Sequence, residues 1–221
     1  MNILAIDSST EACSAALLRE DGEIFSRFEI APRQHTRLLP QMMEQVLSES
    51  AVEKPQLTHC AFANGPGAFT GIRIAAAQAQ GIGIGLGIPL VPVSTLATLA
   101  QVSLERLSCN TTLVALDARM NEIYWAVYQR DVEGCAKLRD AEYLSALNDI
   151  HIGADVEAGA GHGWLAELSA RTQIPVDSEL LPDACAMLAL AASAVRHDQV
   201  VEAQAVGINY LRNKVAEKAR T

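Results

Sequence analysis

The sequence lacks most patterns that mark a particular chemistry, and each absence argues against a class of protein. Its five cysteines are widely spaced with no CxxC pair, which argues against a disulfide framework and favours a reducing, cytoplasmic setting. None of the five histidines stands at helical ligand spacing, so we expect no metal. No GxSxG elbow supports a serine hydrolase, and no GxxxxGK[ST] loop supports a P-loop NTPase.

Positive charge is also scarce. The net charge is −9, with 17 basic against 26 acidic residues, which argues against independent binding of nucleic acid. The start, MNILAIDSST, has no basic region before its apolar run, unlike a secretory signal peptide. The uncharged stretch 74–104 is interrupted by glutamines, glycines and two prolines, so a buried helix–strand–helix is favoured over a membrane segment.

Hydrophobic residues, by contrast, make up 50% of the chain, which is typical of a well-packed globular protein. Their patterning in the first half predicts the order β-β-β-α-β-α-β-α, a mixed sheet covered by helices. The predicted strands are 2–7, 13–18, 23–30, 59–63 and 90–93, and the predicted helices are 36–50, 70–86 and 94–107. Thr36 and Thr70 are the expected N-caps of the first two helices.

The second half repeats this pattern. Residues 113–138 echo residues 3–28, and each copy has an apolar strand that ends in an aspartate, Asp7 or Asp117. A short helix at 145–150, a glycine-rich turn at 156–168 and a helix at 183–197 are expected to complete the copy. We therefore predict two lobes, 1–108 and 109–221, with the last segment, about 205–221, packing back on the first lobe.

The stretch NGPGAFTGIR, residues 64–73, allows two interpretations. Gly65 and Gly67 bracket a proline, and a helix is predicted from Thr70, an arrangement that suits the binding of an anion at a helix N-terminus. No lysine follows, however, so a tight strand-to-helix turn is favoured over active phosphate transfer. Asp7 and Asp117 could likewise hold a metal–nucleotide across the cleft of a duplicated fold, or simply cap the adjoining turns.

The first two predicted helices have little polar surface. The apolar residues of the first cover about 180° of its circumference, against about 100° for a helix that contacts one layer. The second is rich in small residues, which allow another helix to approach closely. Either the two helices pack on each other, or they await a partner. The second alternative is favoured, so Met43→Asp is expected to weaken partner binding and leave the monomer folded.

Six sequence blocks together resemble the bacterial TsaB (YeaZ) family along nearly the whole chain. They are ILAIDSSTEACSAAL, HTRLLPQM, NGPGAFTGIRIAAAQAQGI, VSTLATLA, LDARMNEIYWAVY and YLRNKVA. The resemblance implies a duplicated α/β fold of the actin, Hsp70 and sugar-kinase type (ASKHA, RNase H-like), with two lobes of mixed sheets flanked by helices. It also implies a non-catalytic subunit that helps to make N6-threonylcarbamoyladenosine at position 37 of tRNA.

The same resemblance implies partners. The family's first two helices form a bundle with the transferase TsaD, or with a second copy when the protein is alone, and the ATPase TsaE docks onto the pair. tRNA is reached only through the complex, and residual ATP or ADP binding at its interface is left open. The residues that the resemblance assigns to this interface are Leu38, Leu39, Met42, Met43, Val46, Ile72, Arg73, Ala76 and Gln80.

The resemblance also bears on the loop and on the rival functions. TsaD carries a pair of metal-binding histidines, and Thr95 and Leu99 occupy the matching positions here, which implies that the metal site is lost. The nucleotide loop would then be a vestige, made up of Asp7, Gly65, Gly67, Thr70 and Asp117. One rival is an active ATPase or kinase that uses this same set. The other is a metallopeptidase, which older family naming suggests and which we disfavour.

Overall fold

The computed structural model describes residues 1–164 and 166–212, and its first half forms a five-stranded mixed sheet. The strands are β1 (Ile3–Asp7), β2 (Ala12–Leu18), β3 (Ile24–Ile30), β4 (His59–Ala63) and β5 (Leu90–Val93). Their order is β3-β2-β1-β4-β5, with the first three antiparallel and β4 and β5 parallel to β1. All five residues of β1 are buried, as its unbroken apolar run predicted.

The second sheet repeats this arrangement. Its strands are β6 (Thr111–Arg119), β7 (Glu122–Arg130), β8 (Ala136–Leu138), β9 (Tyr143–Ala146), β10 (Ala158–Ala160) and β11 (Val176–Asp177). The order β11-β10-β6-β7-β8 again joins an antiparallel meander to two parallel strands, and β9 also pairs with β7. The duplicated two-lobe α/β fold is therefore confirmed.

The helices also lie close to the predicted bounds. They are α1 (His35–Ser50), α2 (Phe69–Leu86), α3 (Thr95–Arg106), the short α4 (Ala166–Ser169) and α5 (Ala184–Arg196). The predicted caps Thr36 and Thr70 are wrong, because the caps are Gln34 and Ala68 and neither uses a side chain. The backbone carbonyl of Gln34 already accepts from two amides of α1, which starts that helix earlier. No helix in the two described ranges is long and apolar enough to cross a membrane.

The short helix predicted at 145–150 is wrong. Residues up to Ala146 form β9 instead, and a single 3-10 turn, Leu147–Asp149, follows. The indole nitrogen of Trp125 on β7 donates to the Ser145 hydroxyl at 2.8 Å, and the Tyr143 ring stacks on the same indole at 4.8 Å. These side-chain contacts hold the segment in strand register with β7, which local propensity could not indicate.

Two helices cross the predicted boundary between the lobes. Helix α3 comes from the first half, yet Leu96, Leu99 and Leu104 pack in the core of the second sheet. Helix α5 comes from the second half, yet Met187 and Leu188 pack on the first sheet. The division at 108/109 therefore separates the two sheets but not the helices that cover them.

The end of the chain returns to the first lobe as far as the structure describes it. Val206 and Ile208 pack against the core beneath α1 and α2, and the Asn209 amide donates to the Asn64 carbonyl at 2.8 Å. The rest of the segment predicted to pack back, 213–221, lies outside the described residues, as does part of the block YLRNKVA.

The prediction that α1 presents an uncovered apolar half-cylinder is wrong. Its six apolar side chains, Leu38, Leu39, Met42, Met43, Val46 and Leu47, are 0% to 8% exposed within the single chain. The sheet covers one side of the helix, while α2 and the residues Val52 and Leu57 cover the other. The alanines of α2 let it approach α1, so the two helices pack on each other. Met43→Asp would therefore bury a charge and destabilise the monomer.

The contact between α2 and the turn after β1 gives a first prediction. A Cβ on Gly71 would lie 1.9 Å from the Ser8 carbonyl oxygen, whereas a Cβ on Gly81 would meet nothing within 4 Å. Gly71→Ala is expected to lower the free energy of unfolding by about 1–3 kcal/mol because the backbone must move. Gly81→Ala, the matched control in the same helix, is expected to raise it by about 0.5–1 kcal/mol. Urea unfolding followed by circular dichroism measures both, and equal stability of the two variants would contradict the tight contact.

Candidate functional site

A cavity of about 730 Å³ lies between the lobes, at the carboxyl ends of β1, β4 and β6. On the first lobe its wall is formed by residues 9–11 of the β1–β2 turn and by residues 66–72 at the start of α2. On the second lobe the wall is formed by residues 116–120 and His162, and residues 209–212 cross between the two. Clefts at the carboxyl ends of parallel strands are where open α/β sheets commonly bind ligands, so this cavity is the first candidate site.

Asp7 stands at the end of β1 but does not line the cavity. It is 2% exposed, and its Oδ1 accepts hydrogen bonds from the Ser9 amide at 2.7 Å and the Ser9 hydroxyl at 2.6 Å. Its Oδ2 has no donor among the described residues. Burial raises the pKa of Asp7 from 3.8 to about 6, although the Ser9 hydrogen bonds oppose the rise. This carboxylate caps the turn and is not exposed to the cavity.

Asp117, the matching residue at the end of β6, does line the cavity. Its side chain is 33% exposed and accepts from the Arg119 amide at 2.8 Å and from the Arg119 guanidinium at 3.1 Å. Of the two carboxylates predicted to face each other across the cleft, only this one reaches it. The structure therefore does not bring the pair together as ligands of one metal–nucleotide.

The glycine loop is packed tightly against its own lobe. The Ala68 amide donates to the Ser9 carbonyl at 2.7 Å, and a Cβ on Gly67 would lie 2.5 Å from that same oxygen. Gly65 has φ +105°, and a Cβ there would lie 2.7 Å from the Asn209 carbonyl oxygen. The glycines are thus needed for close backbone packing, which favours the tight-turn interpretation. Thr70 lines the cavity, and whether the loop is a vestige of a nucleotide site stays a prediction.

One contact across the cleft was missed from the sequence. His162 accepts a hydrogen bond from the Asp117 amide at its Nδ1, 3.0 Å away, so the neutral ring carries its proton on Nε2. That Nε2 lies 3.7 Å from a carboxylate oxygen of Glu11 on the first lobe. The sequence indicated only a glycine-rich turn at 156–168, and the duplicated fold is what brings this histidine opposite the β1–β2 turn.

The cavity offers little machinery for bond-making in the part of the chain that the structure describes. No group of three or more histidine, cysteine, aspartate or glutamate side chains within residues 1–164 and 166–212 could hold a metal. Thr95 and Leu99, which the resemblance matches to the metal-binding histidines of TsaD, are both 0% exposed, and Leu99 packs in the core of the second sheet. The residues that line the cavity instead make contacts between the two lobes.

The residues predicted to form a partner interface on α2 are largely covered too. Ile72 and Ala76 are 2% and 5% exposed. Arg73 lies over the Phe69 ring, with its guanidinium carbon 3.3 Å from the ring centroid. Gln80 donates to the Ala203 carbonyl at 2.9 Å. Ile72 and Ala76 face the interior, whereas Arg73 and Gln80 are half-buried at the exposed side of α2 and contact neighbouring residues.

The exposed residues of α2 form what we call the α2 face, and the half-buried Arg73 lies among them, one turn after Phe69. The α2 face comprises Phe69, Thr70, Ala77, Gly81, Ile84 and Gly85. Phe69 and Ile84 are 57% and 60% exposed. Apart from Arg73, the row consists of small and apolar residues, which is unusual for the solvent side of a helix and is typical of a surface that another protein covers.

Comparison with known proteins identifies the relatives of the chain. The family model described as TsaD, tRNA N6-adenosine threonylcarbamoyltransferase, matches residues 28–150. The tRNA threonylcarbamoyladenosine biosynthesis protein TsaB of Escherichia coli (strain K12) is 36% identical, over 99% of this chain and 97% of its own length. TsaB of Haemophilus influenzae is 34% identical, over 99% and 96%. The crystal structure of YeaZ from Pseudomonas aeruginosa superposes with a TM-score of 0.89 at 38% identity, covering 95% of this chain and 99% of that one.

The buried carboxylate gives a prediction about pH. The folded state holds the Asp7 proton with a pKa of about 6, whereas the unfolded chain holds it near 3.8. Between those values the folded protein binds more protons, so stability contributed by this group is lost as pH rises. For a rise of about two units the loss is about 3 kcal/mol. Asp7→Asn cannot ionise and is expected to gain stability over the wild type between about pH 4 and about pH 7.5.

Urea unfolding of both proteins across that pH range measures the difference. Asp117→Asn, which removes one negative charge from the open cavity, controls for a general effect of net charge. A difference between Asp7→Asn and wild type that stays constant with pH would show that the carboxylate is not held as described.

Proposed function

The chain belongs to the TsaB (YeaZ) family, and from that membership we propose that it takes part in the synthesis of N6-threonylcarbamoyladenosine in tRNA. Full-length relatives that share more than a third of its residues carry this role in their names. The near-complete coverage of both chains supports transfer of the role as a whole, since neither relative has a further domain that could carry it alone.

Within that synthesis the chain acts as an accessory subunit that binds and activates the transferase TsaD. The geometry of the cleft supports a role without bond-making. Asp7 is buried and caps its own turn, and Ser8 and Ser9 pack against one side of the glycine loop. A phosphotransferase needs an accessible carboxylate to hold the metal ion on its phosphates, and Asp7 is not accessible here.

The single observation that carries the proposed partner binding is the α2 face. Phe69 and Ile84 expose more than half of their surfaces, and Ala77, Gly81 and Gly85 beside them are small enough for a second helix to pack closely. TsaD occupies this face in the working complex, and a second copy of the chain occupies it when the protein is alone. The contact is made by the outward side of α2, and not by the buried residues of α1.

The other components of the complex bind to this pair of proteins. TsaE docks onto the pair of proteins, and any ATP or ADP binds at the interface they form. tRNA is reached only through the complex, because a chain of net charge −9 has no excess of positive charge with which to displace counterions. The complex works in the cytoplasm, which the unpaired, widely spaced cysteines support.

A charge placed on the α2 face tests the proposal. Ile84→Glu is expected to weaken binding to TsaD of the same organism more than tenfold, because a carboxylate would be buried at an apolar contact without a partner. Modification of tRNA by the reconstituted complex is expected to fall with it. Isothermal titration calorimetry measures the affinity, and nucleoside analysis of the tRNA measures the modification.

Val132→Glu is the matched control, since Val132 is fully exposed on the turn between β7 and β8 of the other lobe. Both variants are expected to unfold at the wild-type urea concentration because neither side chain is in the core. Wild-type affinity and modification with Ile84→Glu would exclude the α2 face as the binding surface.

A further inference from the structure

The free edge of the first sheet carries a second exposed apolar row. Strand β3 pairs with β2 on one side, and within the described residues no strand pairs with its other side. Ile24, Phe28 and Ile30 are 46%, 44% and 61% exposed. Alternate residues of a strand point to the same face, so these three side chains form a single row. An exposed apolar edge strand is a template for pairing with another strand.

The two faces of β3 differ in chemistry. Phe25 packs on the side of α1, and Arg27 on that side pairs with Glu49 of α1. The row of Ile24, Phe28 and Ile30 lies on the opposite side, which α5 covers only in part. A strand that pairs with this edge must therefore match charges on one face and apolar side chains on the other.

We propose that the occupant of this edge is a second copy of the chain, paired antiparallel so that Phe28 lies opposite Phe28 of the second copy. In this register Arg27 of each copy lies opposite Glu29 of the other, which gives two complementary charge pairs. On the other face the two phenylalanines are flanked by Ser26 opposite Ile30. Cross-strand aromatic pairs and opposite charges are the contacts that stabilise antiparallel strands.

The charges select this register over its neighbour. If each strand moves so that Arg27 lies opposite Arg27, the apolar row still pairs, but two like charges oppose each other directly. The existing contact with Glu49 does not prevent the proposed pairing, because a guanidinium has five N–H donors and can reach two carboxylates. The same short segment thus complements itself on both faces.

This pairing goes beyond the proposed binding of TsaD and uses a different part of the lobe. Helix α2 packs over β4, β1 and β5, whereas β3 is the strand at the far edge of the sheet. A second copy at β3 leaves the α2 face open. The two contacts can therefore be tested separately, and failure of one does not decide the other.

Disulfide crosslinking of the full-length chain tests the register. Directly opposed residues of antiparallel strands have Cα atoms about 4.5–5.5 Å apart, which suits a disulfide. In a Cys185→Ser background, which removes the one cysteine that is not buried, Phe28→Cys is expected to form a covalent dimer under mild oxidation. Ile24→Cys, equally exposed, is the control, because the two copies of that residue would lie roughly 25 Å apart.

Charge reversal tests what selects the register. Added to Phe28→Cys, Arg27→Glu is expected to slow crosslinking at least fivefold, and Arg27→Glu with Glu29→Arg is expected to restore it. Binding to TsaD is expected to stay at the wild-type level in all of these variants. Crosslinking by Arg27→Cys in place of Phe28→Cys would overturn the register, and no crosslinking by either, or equal crosslinking by Ile24→Cys, would overturn the pairing.

Discussion

The contact between the β1–β2 turn and the start of α2 determines much of the first lobe. The Ser8 hydroxyl donates to the Gly71 carbonyl at 2.8 Å, and the Ser9 carbonyl accepts from the Ala68 amide. Such close approach of two backbones needs glycine at residues 67 and 71. It holds α2 against α1 and the sheet and fixes which side of α2 faces outward.

Strands formed by a continuous apolar run could be predicted from the sequence, because such a run is typical of a strand that is buried on both faces. β1 and β5 are examples, and the helix bounds followed from proline, glycine and apolar spacing. What the sequence could not indicate was how much of a helix its own chain would cover. The apolar circumference of α1 was read correctly as too wide for one layer, but the second cover is α2 and the segment around Val52, and not another protein. Tertiary contacts decide this, and they leave no local pattern.

The candidate site shows the same limit. Asp7 and Asp117 follow equivalent strands, so the duplication predicted equivalent positions. Their surroundings differ, because Ser9 turns the first carboxylate inward, while Arg119 holds the second at the open cavity. Across the cleft, His162 lies near Glu11, and the Arg212 guanidinium binds the Glu122 carboxylate at 2.6 Å. Asn209 meanwhile donates to Glu142 at 2.8 Å. These groups tie the two lobes together across the cleft.

Both proposed contact surfaces lie on the first lobe. The α2 face and the β3 edge belong to one sheet with its covering helices, so each surface is presented at a fixed angle to the other. Both are apolar and carry little of the negative charge that dominates the rest of the chain. A net charge of −9 keeps copies apart at long range, and association then depends on short-range complementarity at these two places. Selection between them rests on shape for α2, where small residues admit a helix, and on charge order for β3, where Arg27 and Glu29 favour the proposed register of a second copy.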